Sequence, residues 1–159
     1  MSRDVMIRPY QADDADATIE IFLRSIREVS NKDYSPAQIS SWARVDDREG
    51  WSSHRLSRPA WIAEIGGLPV GFADLVPHGY LDMMFVHPEF QGLGVASHLL
   101  TRVEQEARQL HLDKINTEAS LTAEPFFSRR GFQIVRKQEV AKRGEVLENF
   151  LMEKRIGKR

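Results

Sequence analysis

Six consecutive residues, Gln91-Gly92-Leu93-Gly94-Val95-Ala96, carry the clearest chemistry in this sequence. They stand between a stretch that reads as a strand, Tyr80 to Val86, and a helical run in which Val95, Leu99, Leu100, Val103 and Ala107 recur on one face. A glycine-rich turn that opens a helix can aim several backbone N–H groups at one point. The orphan amides and the positive end of the helix dipole favour an anion there, and glycine lets the main chain approach it closely. A pyrophosphate suits such a loop. An isolated Gly-x-Gly more often only makes the turn into an amphipathic helix, so context has to decide. Gly92-x-Gly94-x-x-Ser97 also approximates the dinucleotide fingerprint, but its third position is serine. Only one strand-helix-strand unit follows it, where a doubly wound fold needs several.

Other chemistries fall away on composition. The chain has no cysteine, which excludes disulfides, thiolate metal sites and cysteine nucleophiles. His54, His78, His87, His98 and His111 share no metal-ligand spacing, so no metal is expected. The formal net charge of −1 lacks the basic excess used to bind nucleic acid, and the terminal Lys154-Arg155-Ile156-Gly157-Lys158-Arg159 reads as a solvated tail. No apolar run approaches the roughly 20 residues of a spanning helix. Met1-Ser2-Arg3-Asp4-Val5 has no signal-peptide core, so a cytoplasmic location without membrane association is the expectation.

The elements that must position the loop can be traced along the chain. A strand from Val5 to Tyr10 leads to a helix that Asp13 or Asp14 can cap, with Ile19, Phe22, Leu23 and Ile26 at helical spacing. Ser35-Pro36-Ala37-Gln38 has a capping-box arrangement and opens a second helix carrying Ile39 and Trp42. Val45 to Arg58 reads as charged and irregular. Ala60 to Ile65, Pro69 to Val76 and Tyr80 to Val86 form a three-stranded meander turned at Gly66-Gly67 and His78-Gly79. After the helix that ends at Leu110 come a strand near Lys114 to Ala119 and a short helix near Ala123 to Arg130. Strands near Phe132 to Lys137 and Glu148 to Lys154 close the chain. The order β-αα-βββ-α-β-α-ββ predicts one α+β domain over 1–159, a mixed, mostly antiparallel sheet flanked by helices in three layers.

In that context Phe85-Val86-His87-Pro88-Glu89-Phe90-Gln91-Gly92-Leu93-Gly94-Val95-Ala96 resembles the Gcn5-related N-acetyltransferase (GNAT) superfamily. Its signature is (Gln/Arg)-x-x-Gly-x-(Gly/Ala) after a strand that often ends in Val-x-Pro. Ser120-x-x-Ala123-x-x-Phe126-Phe127-x-x-x-Gly131-Phe132 is similar to the family's second conserved stretch. Tyr34 to Gln38 and Glu148 to Lys154 further resemble stand-alone bacterial members called YafP-like. The resemblance implies the acyl-CoA N-acyltransferase fold and acetyl-CoA as cosubstrate. It also implies that Met84, Phe85 and Val86 pair through their backbone with the pantetheine arm. The amides of Gln91 through Ala96 would hold the pyrophosphate, and Ser120, Phe126 and Phe127 would line the thiol end. The family builds its acceptor pocket in the stretch that here holds Tyr34, Trp42, Trp51 and His54. For Trp42, packing in the core beside Ile39 is the plainer expectation.

The implied reaction is direct attack of an amine on the thioester, which needs a base because a lysine-like ammonium has a pKa of about 10.4. Strict alternation on the strand from Tyr80 puts Tyr80, Asp82, Met84 and Val86 on one face and Leu81, Met83 and Phe85 on the other. Asp82 is the only carboxylate on that strand and the first candidate base; Glu118 is the second. A backbone N–H near Val86 is the expected oxyanion donor. Family members commonly carry a tyrosine proton donor four residues before the Gly-Phe pair, where this chain has Phe127. Either the role is vacant, or Tyr80 fills it, or the domain binds acyl-CoA as a sensor with little turnover. The acceptor amine is not specified by the sequence. A homodimer is admitted, since closed two-fold dimers are common among small enzymes.

Overall fold

The computed structural model describes residues 4–157. Its elements are β1 (Val5–Pro9), α1 (Ala15–Glu28), α2 (Pro36–Trp42), α3 (Arg48–Leu56), β2 (Ala60–Ile65), β3 (Leu68–Val76), β4 (Tyr80–Val86), α4 (Val95–Gln109), β5 (Lys114–Ser120), α5 (Glu124–Arg129), β6 (Gln133–Lys142) and β7 (Glu145–Arg155). All seven strands join one sheet in the order β1-β2-β3-β4-β5-β7-β6. Every neighbouring pair is antiparallel except β4 and β5, which run parallel. This is the expected mixed sheet, covered by helices on both faces.

Each face buries its own core because side chains alternate along the strands. Ile62 and Phe72 point to one side, where they meet Ile21, Phe22, Ile26, Ile39 and Trp51 from α1, α2 and α3. Trp61, Ala63 and Ala73 point to the other, where Val95, Leu99, Val103 and Ala107 of α4 cover them. Fully burying a side chain such as Leu99 or Phe72, both 0% exposed, contributes about 1.5–3 kcal/mol. Helix α4 lies so close to β3 that a Cβ on Gly71 would stand 2.8 Å from a Val95 methyl and 3.1 Å from the Phe85 carbonyl oxygen. Gly71 thereby sets how tightly the start of α4 is pressed to the sheet.

Local signals explain most element ends. Ser35 Oγ accepts from Gln38 N and Gln38 Oε1 from Ser35 N, so the capping box before α2 forms with Pro36 at the first helical position. Asp14 does not cap α1 with its side chain as expected. Its carboxylate instead accepts from Gln11 N and from both terminal nitrogens of Arg8, closing a single 3-10 turn ahead of the helix.

Four readings of the sequence are corrected. The charged segment from Val45 to Arg58 contains helix α3, begun by Asp47, whose carboxylate accepts from Gly50 N. The last two strands are longer than expected and form one hairpin that turns at Arg143 and Gly144. Lys154 and Arg155 belong to β7 rather than to a tail, and Lys154 Nζ bonds to Glu104 on α4 at 2.9 Å. Lys158 and Arg159, and residues 1–3 of the N-terminal reading, lie outside the described residues. The fourth correction, on β4, shapes the site and is taken up with it. Among the described residues no helix is long and apolar enough to cross a membrane.

Candidate active site

The site begins where the sheet comes apart. Strands β4 and β5 are in register only at Tyr80↔Asn116 and Leu81↔Thr117. The Thr117 hydroxyl then donates to the Leu81 carbonyl at 2.9 Å, ending the ladder with a side chain. Beyond that point β4 stays with β3 and β5 with β7, so a cleft opens between them.

A bulge in β4 turns its side chains. Asp74 pairs with Met83 and Leu75 with Leu81, which leaves Asp82 as the extra residue. The alternation read from the sequence therefore fails. Leu81 joins Met84 and Val86 in the core beneath α4, while Tyr80, Asp82, Met83 and Phe85 line one chamber on the opposite face. The amide freed by the bulge is not orphaned, because Met83 N donates to Asp74 Oδ1 at 2.9 Å.

Asp74 is fully buried on β3 and forms a cluster with Arg55, Arg58 and Asp82. Burial pushes its carboxyl up to about 6, Arg55 opposing and Asp82 reinforcing the shift. A carboxyl with a raised folded pKa holds its proton more tightly when folded, so its contribution is complete below the unfolded value and lost as pH rises through about 6. The wild type should thus lose stability between about pH 4 and pH 7 relative to Asp74→Asn, whose unfolding is free of that titration. Denaturant melts of both proteins across this range check the expectation, and parallel curves would refute it.

Two cavities flank the cleft. The first, about 690 Å3, runs along β4 to the start of α4 and is lined by Met84, Phe85, Val86, Gln91, Gly92, Gly94, Val95, Ala96, Ser120, Phe126 and Phe127. Of the residues expected at the cosubstrate only Leu93 is missing from this wall; its side chain packs on the core. His87 N donates to Val70 O, toward β3. Since alternate residues of an antiparallel strand address the same neighbour, Met84 and Val86 direct their N–H and C=O groups to the open side. The Gln91 amide already reaches the Val86 carbonyl, at 3.2 Å. Phe85 offers its backbone to β3 instead, which narrows the expected pairing set to Met84 and Val86.

Gly94 closes the turn in the left-handed region, with φ 83°, as the residue before α4. The first turn of α4 carries no acidic side chain, leaving its amides and dipole uncompensated. Three cations that the sequence reading passed over, Lys32, Arg129 and Arg130, stand on the same wall. Arg130 donates to Ser97 Oγ and lies over the Phe126 ring at 4.2 Å. The Arg129-Arg130 pair directly before Gly131 was the readable signal.

The second cavity, about 450 Å3, lies on the α1–α3 side. Tyr34, Trp42, Trp51 and His54 all line it, together with Asp82, Tyr80 and Glu118. Trp51 is nevertheless anchored in the core, where its Nε1 donates to Thr18 Oγ1 at 2.9 Å. Trp42 is only partly buried and meets the Tyr34 ring edge-on at 5.4 Å. The β6–β7 hairpin roofs this chamber. Tyr34 Oη donates to Glu148 O, Gln38 to Val146 O, and Arg143 to Ser41 O, so the roof is tied to α2 and its approach.

The two candidate carboxylates differ in their partners. Asp82 Oδ2 accepts from Arg58 at 2.9 Å and stands 3.9 Å from Arg55. Glu118 accepts from neutral groups, Gln138 Nε2 at 2.9 Å and Tyr80 Oη at 3.4 Å, and makes no ion pair among the described residues. Burial, and then Glu118, raises the Tyr80 pKa above its ordinary value, so that hydroxyl stays protonated. Tyr80 lines the second chamber and not the first, away from the expected thiol end. Phe127 is buried against Phe126 and Phe132 and offers no proton.

A sheet parted between its fourth and fifth strands, with a glycine-led helix start on one side and a carboxylate-bearing chamber on the other, defines an acyl-CoA-dependent N-acyltransferase. The chain belongs to the GNAT acetyltransferase family: the family profile described as "Acetyltransferase (GNAT) domain" matches residues 30–155. It is 40% identical over 149 residues, 94% of this chain and 95% of the other, to an uncharacterized N-acetyltransferase, YafP, of Escherichia coli (strain K12). The fold matches that of a GCN5-related N-acetyltransferase from Rhodopseudomonas palustris with a TM-score of 0.94 and 33% identity, covering 98% of this chain and 99% of that one. YncA of Salmonella typhimurium, a putative acetyltransferase solved with acetyl-CoA, shares the fold at a TM-score of 0.75 and 18% identity, covering 98% and 96%.

Proposed function

We propose that the larger cavity receives acetyl-CoA, that the smaller one receives an acceptor amine, and that the amine attacks the thioester directly where they meet. The parting of β4 from β5 after Leu81 carries this reading, because both cavities border that opening and share Phe85 and Ser120 in their walls. Backbone groups of Met84 and Val86 offer an added strand's worth of hydrogen bonds to a pantetheine amide chain. The start of α4 offers N–H donors and a dipole to the pyrophosphate, with Lys32, Arg129 and Arg130 supplying positive charge along the same wall.

Glu118 is the base we favour over Asp82. It faces the acceptor chamber and accepts only from neutral donors, whereas the Asp82 carboxylate is engaged by Arg58. Glu118 first takes a proton from the arriving ammonium and passes it to solvent. The free amine nitrogen then forms a bond to the acyl carbon, the C–S bond breaks with its electron pair going to sulfur, and the second proton on nitrogen passes to Glu118. An N–H near Val86 faces the developing oxyanion. The products are an amide and coenzyme A.

One observation favours a second reading, a domain that binds acyl-CoA with little turnover: Phe127 stands where a proton donor is usual. Calorimetric titration with acetyl-CoA followed by thiol-release assays on a panel of amines separates the two. Acetyl-CoA binding with thiol release on at least one amine is expected. Binding without release on any amine supports the sensor, and no binding refutes both.

A further inference from the structure

In the two-cavity reading the acyl carbon must lie at the junction, since thioester and amine come from opposite sides. Among the described residues only two line both cavities, Phe85 and Ser120. The Phe85 ring is taken up by Phe72, stacked at 5.9 Å, and by Phe22, edge-on at 5.1 Å. Ser120 is therefore the one hydrogen-bonding side chain at the junction among the described residues.

Its oxygen is already anchored. Ser120 Oγ accepts from Ala123 N at 3.1 Å, and among the described residues no protein group accepts its proton. A hydroxyl held by its oxygen and free at its hydrogen is set up to donate. Ser120 also ends β5 and leads into the turn before α5, the helix that carries Phe127. It thus faces the cleft from the wall opposite β4, whose open amides at Met84 and Val86 serve the carbonyl side.

We propose that Ser120 Oγ–H donates a hydrogen bond to the departing sulfur of coenzyme A, filling the role for which Phe127 has no group. The serine stays protonated throughout. The C–S electron pair goes to sulfur, Ser120 stabilises the thiolate by its hydrogen bond, and the thiolate takes its proton from solvent. Each proton accepted by Glu118 returns to solvent, which closes the balance. Because an alkyl thiol has a pKa of about 8.5, a single donor suffices and full proton transfer is not required.

This inference rests on the acetyltransferase reading, and its test is chosen to separate the two. The thiol of bound coenzyme A is titrated by its thiolate ultraviolet absorbance, as a difference against desulfo-coenzyme A on the same protein. In the wild type the bound thiol should titrate below about 8.5, and Ser120→Ala should raise it by about one unit. Ser120→Thr, which keeps the hydroxyl, should retain the low value. With an amine found in the panel, kcat in Ser120→Ala should fall about tenfold while acetyl-CoA affinity is nearly unchanged. An identical thiol titration in wild type and in a folded, coenzyme-binding Ser120→Ala overturns the proposal and leaves the acetyltransferase reading standing. Failure of the wild type to bind coenzyme A overturns both.

Discussion

Gly94→Glu should weaken acetyl-CoA binding by at least about a hundredfold, equivalent to roughly 2.7 kcal/mol. Three effects add. Gly94 holds φ 83° and ψ 10°, a left-handed conformation that costs any L residue about 1–2 kcal/mol. Space is not the obstacle, since an added Cβ would meet the His98 ring at 3.6 Å, an ordinary contact. The carboxylate is the obstacle. Placed just before α4, it competes for the same orphan amides and sets like charge against the pyrophosphate. Gly94→Ala keeps the strain without the charge and should lose much less, which apportions the effect. Calorimetry on both variants, with melting temperatures to show that each is folded, decides the matter; undiminished affinity in a folded Gly94→Glu would falsify the phosphate seat.

The proposed seat was legible in the sequence because main-chain groups would do its recognition. Glycines at 92 and 94 between a strand and an amphipathic run state the backbone geometry directly. The sheet and its helices were legible for a similar reason, since the periods of the apolar residues survive in α1, α4 and the meander. The bulge at Asp82 was not. An extra residue in one strand changes no residue type, so alternation placed Met83 and Phe85 opposite Tyr80 when they share its chamber. Helix α3 was hidden by its composition: its buried members are Trp51, whose Nε1 donates to Thr18, and Arg55, which donates to Trp51 O and pairs with Asp74. Thr18 and Asp74 lie on other elements, and a pattern of apolar residues cannot show them.

Partners distant in sequence also underlie the order proposed for the two candidate bases. Arg55 and Arg58 come from α3 and the loop after it, the segment read as irregular, and they engage Asp82 from there. Asp82 is thereby the surface-facing member of a four-charge cluster whose other acid, Asp74, fixes the bulge through Met83 N. Removing its charge leaves a buried guanidinium short of a partner, a change felt first in stability. Asp82→Asn should therefore lower the melting temperature more than it lowers the rate.

Glu118→Gln should do the opposite. The amide is isosteric and can keep one of the bonds to Tyr80 and Gln138, so the fold and acetyl-CoA affinity should hold. Loss of a general base costs about 10²–10⁴-fold in rate, and a fall of at least about a hundredfold in kcat at neutral pH is expected. The pH profile gives the sharper signature. Without the carboxylate, reaction must wait for amine that is already deprotonated, so the residual rate should climb with pH toward the amine's own pKa, about 10.4 for a lysine-like acceptor. The wild-type rate should level off earlier. Because Tyr80 keeps its proton across this range, it remains a fixed donor to Glu118 and adds no break of its own. Tyr80→Phe should accordingly cost less than Glu118→Gln and leave the profile's shape intact. If Glu118→Gln matched the wild type in both rate and profile while Asp82→Asn lost the rate, the proton would leave by the bulge rather than across the cleft, and the arginine cluster would have to release Asp82 during turnover.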